Sequence, residues 1–502
     1  MSLKSHLFYN VSRDEIIGFE DTGNYKSPIP AKSALVIMTR SIAGNWKVSV
    51  CFCFVENACS SKFLKELIFN IIRKLTNNSI KVHALVTDMG SNFIQLSREL
   101  GISTDNSTFF VGNEKVFYIF DTPHLIKATR NNLLKHNFQV GGNKIASWTH
   151  IVEFYNRDNR QWIKAAPKLS SYHIEPNNFA RMKVKYAVQV FSNHVAAGMC
   201  TQMSSGFLPS EAIGTIDVID HFDKLFDVLN SSSIVNPKEY GKVFNGSEKQ
   251  IQFLKDMLHF IESIKVIDKN GSSVSVKCMK CWQITIKSVQ QLWEILKSYD
   301  FSFLRTRRLN QDCIENFFGS IRQQGGNCLN PTPIQFARAF KKLFALKFLE
   351  HSDSLNCEQD TDEMLNLYES SCNESASLSS SVDKVILNIP THDYYTMDLP
   401  EENAFKYVCG FLIKKCIEMH SCETCAAYIK EKEAIIDNTT LYCSFRVYSN
   451  EENVFGNLNI PSDNFCEYIH KLEEIFVKNF EINCYKKKFW GLFIPTCTRN
   501  NF

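Results

Sequence analysis

The stretch that most constrains this 502-residue chain is residues 309–326, LNQDCIENFFGSIRQQGG. Apolar residues recur there at i, i+3, i+4 and i+7, which predicts one buried helix face: Ile314, Phe317, Phe318 and Ile321. The opposite side carries polar and small residues at helical spacing: Asp312, Glu315, Gly319 and Arg322. Two carboxylates one turn apart, with a glycine beyond them, leave room for a metal ion or a backbone to approach. An ordinary amphipathic helix with a solvated acidic edge explains the same pattern, and periodicity alone leaves both interpretations open.

The N-terminal part of the chain predicts strands alternating with helices. Runs rich in β-formers at 33–38 and 47–55 flank the turn residues Gly44 and Asn45 and predict a hairpin. A helix at 63–75, a buried strand at 81–87 and a helix at 93–100 follow. Residues 1–30 mix polar and apolar positions and end in a Pro-Ile-Pro break.

Two aspartates stand where predicted strands end. Asp88 follows the strand at 81–87, and such a carboxylate is held rigidly at a sheet edge where ligands bind. It equally fits an N-cap or Asx-turn residue. Asp121 follows the strand at 116–120 and is predicted to cap a helix opened by Pro123, with a metal neighbour as the alternative. His124 is predicted to position or pack, because no second His or Cys lies at ligand spacing.

The middle of the chain, 141–299, predicts mainly helices, at 182–199, 212–229, 249–266 and 288–296. A helical block that separates early strands from the helix at 309–326 fits an insertion into an α/β core. Cys278 and Cys281 form a lone C-x-x-C in a strand-like apolar run, where a zinc site is not expected.

Composition excludes several classes of protein. Hydrophobic residues make up 44% and charged residues 22% of the chain, as in soluble globular proteins. The net charge of +3 is too small to indicate nucleic-acid binding by itself, so any surface that binds DNA must be a local basic patch, such as Arg305, Arg307 and Arg308. No apolar run reaches membrane-spanning length and no signal peptide is expected. The 18 cysteines lie in apolar runs and indicate reduced thiols in an intracellular protein.

The C-terminal third changes character. Residues 352–381 are Ser-rich and acidic and predict a disordered linker. A helix within 404–429 leads into Cys422 and Cys425, and further ligand types follow or flank them: His420, Cys443, Cys466 and His470. Their irregular gaps leave zinc at Cys422 and Cys425 as one alternative and plain thiols as the other. Residues 479–490 end in a basic and aromatic run that either touches nucleic acid or packs on the core.

The helix at 309–326 resembles the last catalytic segment of the P element transposase family, the THAP-domain-type DNA transposases. The resemblance includes the downstream Asn-Pro-Thr-Pro at 330–333. Three further stretches resemble the same family in the same order: GFED at 18–21, LVTDMG at 85–90 and FDTPHLIK at 120–127. Four ordered motifs make the resemblance specific, and it covers roughly residues 1–345, with a weaker echo at 405–426.

The resemblance implies an α/β fold class, an RNase H-like mixed sheet flanked by helices. An all-α insertion domain interrupts it, and a small α-rich C-terminal region follows. The implied domains are the N-terminal part of the core at 1–137, a GTP-binding-like insertion at 138–302, the rest of the core with the catalytic helix at 303–350, the acidic linker at 351–398 and a Cys-rich region at 399–502.

The implied function is that of a DDE-type DNA transposase, which cleaves and joins transposon-end DNA with Mg²⁺. Asp88 matches the second catalytic and metal-binding carboxylate, and Glu315 the third. The first belongs to a run ending Asp-Glu-Met that meets the chain at Met1, so it and the THAP domain are expected upstream, and catalysis by residues 1–502 is expected to be impaired. A non-catalytic protein that binds DNA or a partner is the alternative. A nuclear location and a homo-oligomer are further expectations.

The family's insertion binds GTP, and five residues resemble its nucleotide contacts: Lys168, Lys183, Asp227, Asn230 and Asp312. Trp162 stands where the resemblance places a nucleotide-contacting aspartate, with Asp158 nearby. No G-x-x-x-x-G-K-[ST] loop is present, and charged helix faces are the alternative explanation.

Overall fold

The computed structural model describes residues 1–10, 15–23, 25–56, 59–346, 363–364, 397–420, 422–431, 435–446, 455–456 and 458–483. These residues belong to two compact units. The first is built from 1–143, 175–190 and 221–380, and the second from 144–174, 191–220 and 381–502. The predicted linker at 352–381, apart from 363–364, and the basic run at 484–490 lie outside the described residues. In the part of the chain that is described, no helix is both long and apolar enough to cross a membrane.

The strands follow in chain order: β1 Phe8–Asn10, β2 Glu15–Ile17, β3 Phe19–Asp21, β4 Lys26–Pro30, β5 Ser33–Arg40, β6 Trp46–Val55, β7 Ala84–Thr87, β8 Thr108–Val111, β9 Glu114–Phe120, β10 Asn137–Val140, β11 Lys144–Ala146, β12 Lys265–Ile267 and β13 Glu363–Met364. One sheet has the order β13-β6-β3-β4, with β5 also paired to β6. A second has the order β7-β9-β8, in which β7 and β9 are parallel. The predicted hairpin is confirmed, because β5 and β6 pair in antiparallel register from Ser33↔Val55 to Arg40↔Lys47.

The helices follow in chain order: α1 Ser61–Asn77, α2 Ser91–Glu99, α3 Thr122–Leu133, α4 Trp148–Asp158, α5 Ser171–Ile174, α6 Asn178–Met182, α7 Val184–Val190, α8 Asn193–Ser204, α9 Ile213–Leu229, α10 Glu248–Ser263, α11 Lys277–Lys297, α12 Asp312–Gln324, α13 Pro333–Leu346, α14 Leu399–Met419, α15 Glu423–Ile429, α16 Leu441–Phe445 and α17 Asp463–Asn483. The predicted early helices are α1 and α2, and the segment at 309–326 is α12.

In the first unit, α12 packs its predicted apolar face onto the β5–β6 hairpin. Phe317 and Ile321 are 1% exposed and share a core cluster with Ala34, Val36 and Phe54. Helix α13 completes this layer with Phe336 and Leu343. Carboxylates in the first turn of α12 and Arg322 in its last turn suit the helix dipole. The helix ends at Gln324, before Gly326 with φ +71°.

The second layer of the first unit surrounds β9, whose side chains from Val116 to Phe120 are at most 1% exposed. Helix α11 crosses this strand, and its Thr285 Oγ1 accepts a hydrogen bond from Phe120 N at 3.0 Å. Helix α11 also meets α3, where Trp282 Nε1 donates to Thr129 Oγ1 at 2.9 Å. Because β9 is buried on both faces, the residue next to its C-terminal end is held in a fixed position.

In the second unit, C-terminal helices pack against α4 and the loop that follows it. Asp158 accepts hydrogen bonds from the N–H groups of Ala165 (2.8 Å) and Ala166 (3.1 Å), and burial raises the pKa of its carboxyl to about 6. Trp162 donates its backbone N–H to Glu401 Oε1 at 3.0 Å and its indole N–H to Glu473. Trp162 and Asp158 thus serve the packing of this unit.

Several predicted elements were wrong. Cys278 and Cys281 lie in α11 rather than in a strand, and both are buried. The Pro-Ile-Pro segment is the end of β4, which lies at the edge of its sheet, where proline is tolerated. The helix predicted at 182–199 is divided among α6, α7 and α8. The solvated edge that was one interpretation of the opposite side of α12 does not hold at Asp312, which is 4% exposed, whereas Glu315 and Arg322 are half-buried.

Candidate active site

The candidate site begins at the carboxyl ends of two parallel strands. Asp88 follows β7 directly, and Asp121 follows β9 directly. The two ends are joined, because Asp121 N donates to Thr87 O at 2.8 Å. Adjacent parallel strands open at the same sheet edge, so both aspartates lie at one edge.

The Asp88 side chain combines the two roles that its position suggested. Its Oδ1 accepts a hydrogen bond from Gly90 N at 2.7 Å, which is an Asx-turn contact. A Cβ at Gly90 would meet Asp88 Oδ1 at 2.9 Å, so the close approach depends on glycine. Within the described residues, Oδ2 of Asp88 accepts no hydrogen bond and remains open to a ligand.

Asp121 attaches the start of α12 to this edge. Its Oδ1 accepts a hydrogen bond from the backbone N–H of Gln311, the residue before α12, at 2.6 Å. Its Oδ2 accepts from His124 N at 2.9 Å, which confirms the predicted cap of α3. Gln311 Nε2 also reaches Val86 O at 3.5 Å. Asp121 is 1% exposed, so these contacts are shielded from water.

Glu315 lies one turn into α12, and its position follows from this attachment. It is half-buried, and in the described part of the chain its carboxylate has no hydrogen-bond or ion-pair partner. A half-buried carboxylate without a partner is costly unless a cation approaches it. Its position near the helix N-terminus offsets part of that cost.

The charges of Asp88 and Glu315 act on two positive groups, the Lys127 ammonium and the Met1 amino group. Burial lowers the pKa of the Lys127 ammonium on α3, and the charges of Asp121, Glu315 and Asp88 oppose that shift. Burial also lowers the pKa of the Met1 amino group, and Glu315 and Asp88 again oppose it. The structure therefore brings both predicted carboxylates within electrostatic reach of the same two positive groups.

His124, the predicted positioning histidine, lies beside Asp121. Its Nδ1 lies 2.6 Å from Asp121 Oδ2. Burial acts to lower the pKa of His124, but the hydrogen bond and charge of Asp121, together with Glu315, raise it above its ordinary value. The imidazole of His124 therefore holds a proton more firmly than a free histidine does, because of the nearby charges of Asp121 and Glu315.

The arginines before α12 have structural partners, which sequence reasoning missed. Arg308 is 7% exposed and donates to Ile42 O at 2.9 Å, to Gly44 O at 2.6 Å and to the Asn45 side chain. Its guanidinium therefore fastens the turn of the β5–β6 hairpin rather than facing a phosphate. Nothing in the sequence pattern indicates that Arg308 would contact the turn at Gly44 and Asn45.

The predicted nucleotide contacts fall in different settings. Asn310 Nδ2 donates to Asn230 Oδ1 at 2.9 Å and to Asp312 Oδ2 at 3.0 Å, which joins two of the candidates through one amide. Arg307 Nε also lies 3.4 Å from Asp312 Oδ2. Asp312 is therefore held inside the protein.

The other three nucleotide candidates are held less tightly. Asp227 pairs with Lys238 at 2.7 Å. Lys183 is exposed beside the Tyr186 ring, and Lys168 is exposed in the second unit. Two exposed lysines suit phosphate contacts, and the assignment of all five residues stays a prediction.

The cysteines considered as zinc ligands do not form one cluster in the described residues. Within the described residues there is no group of three or more His, Cys, Asp or Glu side chains that would hold a metal ion. Cys422 and Cys425 are exposed, whereas Cys443 and Cys466 belong to separate apolar clusters. Zinc at Cys422 and Cys425 therefore stays a prediction with two ligands.

Three family models match the chain, in the order that the fold suggests. The TNP-like, RNase H N-terminal domain matches residues 1–101, and the TNP-like, RNase H C-terminal domain matches 308–341. Between them, the TNP-like, GTP-binding insertion domain matches residues 123–243. Asp88 thus falls in the first RNase H part and Glu315 in the last. The predicted RNase H-like α/β fold with an insertion is confirmed.

Two curated proteins are similar over much of the chain. The Transposable element P transposase of Drosophila melanogaster is 30% identical over 472 residues, which cover 90% of this chain and 59% of that protein. The human DNA transposase THAP9 is 27% identical over 374 residues, which cover 68% of this chain and 40% of that protein. The chain therefore spans less than two thirds of the length of either relative.

A solved structure shares the fold. The Drosophila P element transposase strand transfer complex superposes with a TM-score of 0.60 at 27% sequence identity. The match covers 68% of this chain and 74% of that one. Similarity in sequence and in structure thus points to the same group of proteins.

Proposed function

We propose that this chain, which belongs to the P-element-type transposase family, is a DNA transposase whose acidic residues Asp88 and Glu315 serve the cleavage and joining of phosphodiester bonds. One observation supports the proposal: Asp88 ends β7, and Asp121 at the end of the neighbouring β9 holds Gln311, which precedes the helix of Glu315. A nuclease-type site needs carboxylates gathered in this way.

Two carboxylates of the proposed site would supply oxygen donors to a hard divalent cation, although the described residues gather no third His, Cys, Asp or Glu ligand with them. Asp88 Oδ2 and the Glu315 carboxylate are oxygen ligands of the kind that Mg²⁺ prefers, and both are open in the described structure. Mg²⁺ bound there would supply Lewis-acid activation of the phosphate and of the attacking hydroxyl. Water or a 3′-hydroxyl would be the nucleophile.

Other residues of the chain would orient the two carboxylates and bind the phosphate. Gly90 fixes the orientation of Asp88, and Asp121 fixes the start of the helix that carries Glu315. Lys127 would meet a non-bridging phosphate oxygen, because its ammonium lies among the carboxylates without a direct ion pair to any of them in the described residues. The positive charge of Lys127 would offset the repulsion between the DNA phosphates and the carboxylates of Asp88 and Glu315.

The test is strand cleavage and joining by the chain extended upstream of Met1, on a duplex that carries the element's terminal sequences, in Mg²⁺ buffer. Asp88→Asn and Glu315→Gln should each abolish Mg²⁺-dependent product formation and leave DNA binding intact. Glu294→Gln, an exposed carboxylate on α11, is the matched control and should behave as the wild type. Product formation that survives Glu315→Gln would refute the assignment. DNA binding without product in the wild type would favour a non-catalytic binding protein instead.

A guanine nucleotide is the second ligand that we propose, for the insertion matched at 123–243. The exposed ammonium group of Lys183, in the first unit, would meet its phosphates. Titration calorimetry with GTP should show binding that weakens in Lys183→Met and is absent with ATP. Equal heats with both nucleotides would contradict the guanine preference.

A further inference from the structure

The loop that follows α9 in the first unit exposes two adjacent apolar side chains. Val235 is 87% exposed, more than any other large apolar residue in the described part of the chain, and Ile234 is 57% exposed. The residues on either side, Ser233 and Asn236, are polar, so this apolar stretch is two residues long. We call Ile234 and Val235 the apolar tip.

Hydrogen bonds hold the loop in one shape. At its base, Val243 N donates to Ser233 O at 2.9 Å. Ser233 Oγ donates to Val235 O at 2.7 Å, and Asn236 Nδ2 donates to Gly241 O at 3.1 Å. A Cβ at Gly241 would lie 2.7 Å from Asn236 Nδ2, so this contact requires glycine. Because the loop is already fixed, the apolar tip would lose little conformational freedom when it binds a ligand.

The base of the loop is also attached to the segment that leads into α12. Ser231 N donates to Thr306 Oγ1 at 2.9 Å, and Arg307 N donates to Ser231 O at 3.1 Å. Ile234 follows Ser231 by three positions, which is about 10 Å of extended chain. The path from Thr306 to Glu315, in the first turn of α12, adds about 20 Å. The distance from the apolar tip to Glu315 is therefore comparable to one turn of B-DNA, which is about 34 Å.

A positive charge lies beside the base of the loop. Leu304 and Phe244 exchange backbone hydrogen bonds at 2.7 and 3.0 Å, and Phe244 follows Val243, which closes the loop. Arg305 comes directly after Leu304, and its half-buried guanidinium lies 5.3 Å from the centre of the Phe303 ring. In the described residues Arg305 has no ion pair, so its charge is available to a phosphate.

We propose that the apolar tip is a wedge that inserts between neighbouring bases of the DNA beside the cleaved phosphate, while Arg305 contacts the backbone next to the opened step. The inference rests on the proposed function, because it takes transposon-end DNA as the ligand. Base faces are the apolar surface that DNA offers, and an aliphatic side chain that enters a base step unstacks it and kinks the duplex. Unstacking near the cleaved phosphate loosens the strand that has to reach Asp88 and Glu315.

A protein partner or a second copy of the chain fits the apolar tip less well. A stable protein interface buries about 800 Å² on each partner and has an extended apolar centre. Two aliphatic side chains between polar neighbours offer only a small part of that area. One or two such side chains are sufficient to open a base step.

The test measures base unstacking by the full 502-residue chain. Duplexes with the element's terminal sequences carry 2-aminopurine, which fluoresces more strongly when it is unstacked, at single positions within one turn of the cleavage site. Ca²⁺ replaces Mg²⁺, so that binding is measured without cleavage, and anisotropy sets equal DNA occupancy. The variant combines Ile234→Ser with Val235→Ser. The matched control is Ile435→Ser, which changes an aliphatic side chain that is 74% exposed in the second unit.

Wild type and Ile435→Ser should raise the fluorescence several-fold at one or two adjacent positions, and the double variant should lose most of this rise. In the cleavage assay with the extended chain, the double variant should form product about tenfold more slowly on paired DNA. A mismatch at the same step should restore its rate to that of the wild type. Arg305→Met should lower the slope of log affinity against log salt concentration by about one.

Equal fluorescence in the wild type and the double variant would overturn the wedge. So would a double variant that differs from the wild type only in oligomeric state on size-exclusion chromatography, because the tip would then be an interface between copies. Absence of DNA binding by the wild type would overturn both the wedge and the proposed function. Fluorescence that depends on the tip, without Mg²⁺-dependent product from the extended chain, would support the wedge and refute the proposed catalysis.

Discussion

The contact most open to a decisive test is the one through Asp121, which joins the end of β9 to the beginnings of α3 and α12. Its carboxylate accepts hydrogen bonds from Gln311 N, from His124 N and from the His124 ring. Replacing Asp121 by alanine leaves two buried backbone N–H groups and one ring nitrogen without an acceptor. Asparagine preserves the shape but turns one acceptor oxygen into a donor that faces another donor.

The magnitude follows from these contacts. A buried donor that loses its partner costs about 1–3 kcal/mol, and loss of a helix cap costs about 1 kcal/mol within that total. Asp121→Ala should therefore destabilise the junction by roughly 3–5 kcal/mol, and Asp121→Asn by roughly 1–3 kcal/mol. Three kcal/mol corresponds to about a hundredfold change in a local opening equilibrium.

Hydrogen-exchange mass spectrometry is the appropriate assay, because it resolves local opening within a chain that forms two units. Peptides that span the start of α12 should exchange faster in Asp121→Ala by at least about a hundredfold. Peptides of α14 in the second unit should be unchanged. The exposed Asp105→Asn is the matched control. If Asp121→Ala exchanges like Asp105→Asn, the attachment of α12 does not depend on this carboxylate and the reasoning fails.

Three further predictions concern the same unit. The pKa of His124 is raised in the folded state, so wild type should have a higher free energy of unfolding than His124→Gln below pH 6.5, and this difference should decline as the pH rises through the folded-state pKa. Urea titrations at several pH values measure it, and a difference that does not depend on pH would contradict the prediction. Arg308→Met should lower the free energy of unfolding by about 2–4 kcal/mol, since the guanidinium holds two carbonyls of the hairpin turn, whereas the exposed Arg98→Met should change it little in the same titration. Gly90→Ala should destabilise by about 1–2 kcal/mol in thermal unfolding, because the new methyl lies 2.9 Å from Asp88 Oδ1, and an unchanged melting temperature would contradict the close approach.

Local patterns were sufficient for the elements whose pattern and surroundings agree. The hairpin followed from β-branched residues on either side of Gly44 and Asn45, and α1 followed from its apolar spacing. The prediction failed where burial on several sides removed the pattern. Helix α11 buries residues around most of its circumference, so the run that holds Cys278 and Cys281 showed no polar face and was mistaken for a strand.

The candidate site was only partly accessible to sequence reasoning. The position of Asp88 followed from a strand end, and that of Glu315 from a helix and a family resemblance. The contact that ties the two positions to one sheet edge runs from Asp121 to Gln311, and it is a tertiary contact that no spacing encodes. For the same reason, periodicity left open whether Asp312 lies at a solvated edge, and the structure buries it.

The bond from Asp121 to Gln311 spans 190 positions of sequence. The span between these two residues holds α3 and α11, which belong to the same unit as α12, and the second-unit segments 144–174 and 191–220, and this junction closes it. Segments inside that span can therefore lengthen, shorten or acquire new ligands during evolution without displacing Glu315, as long as the junction closes. A carboxylate that takes no part in chemistry would then decide how freely the intervening domain can diversify.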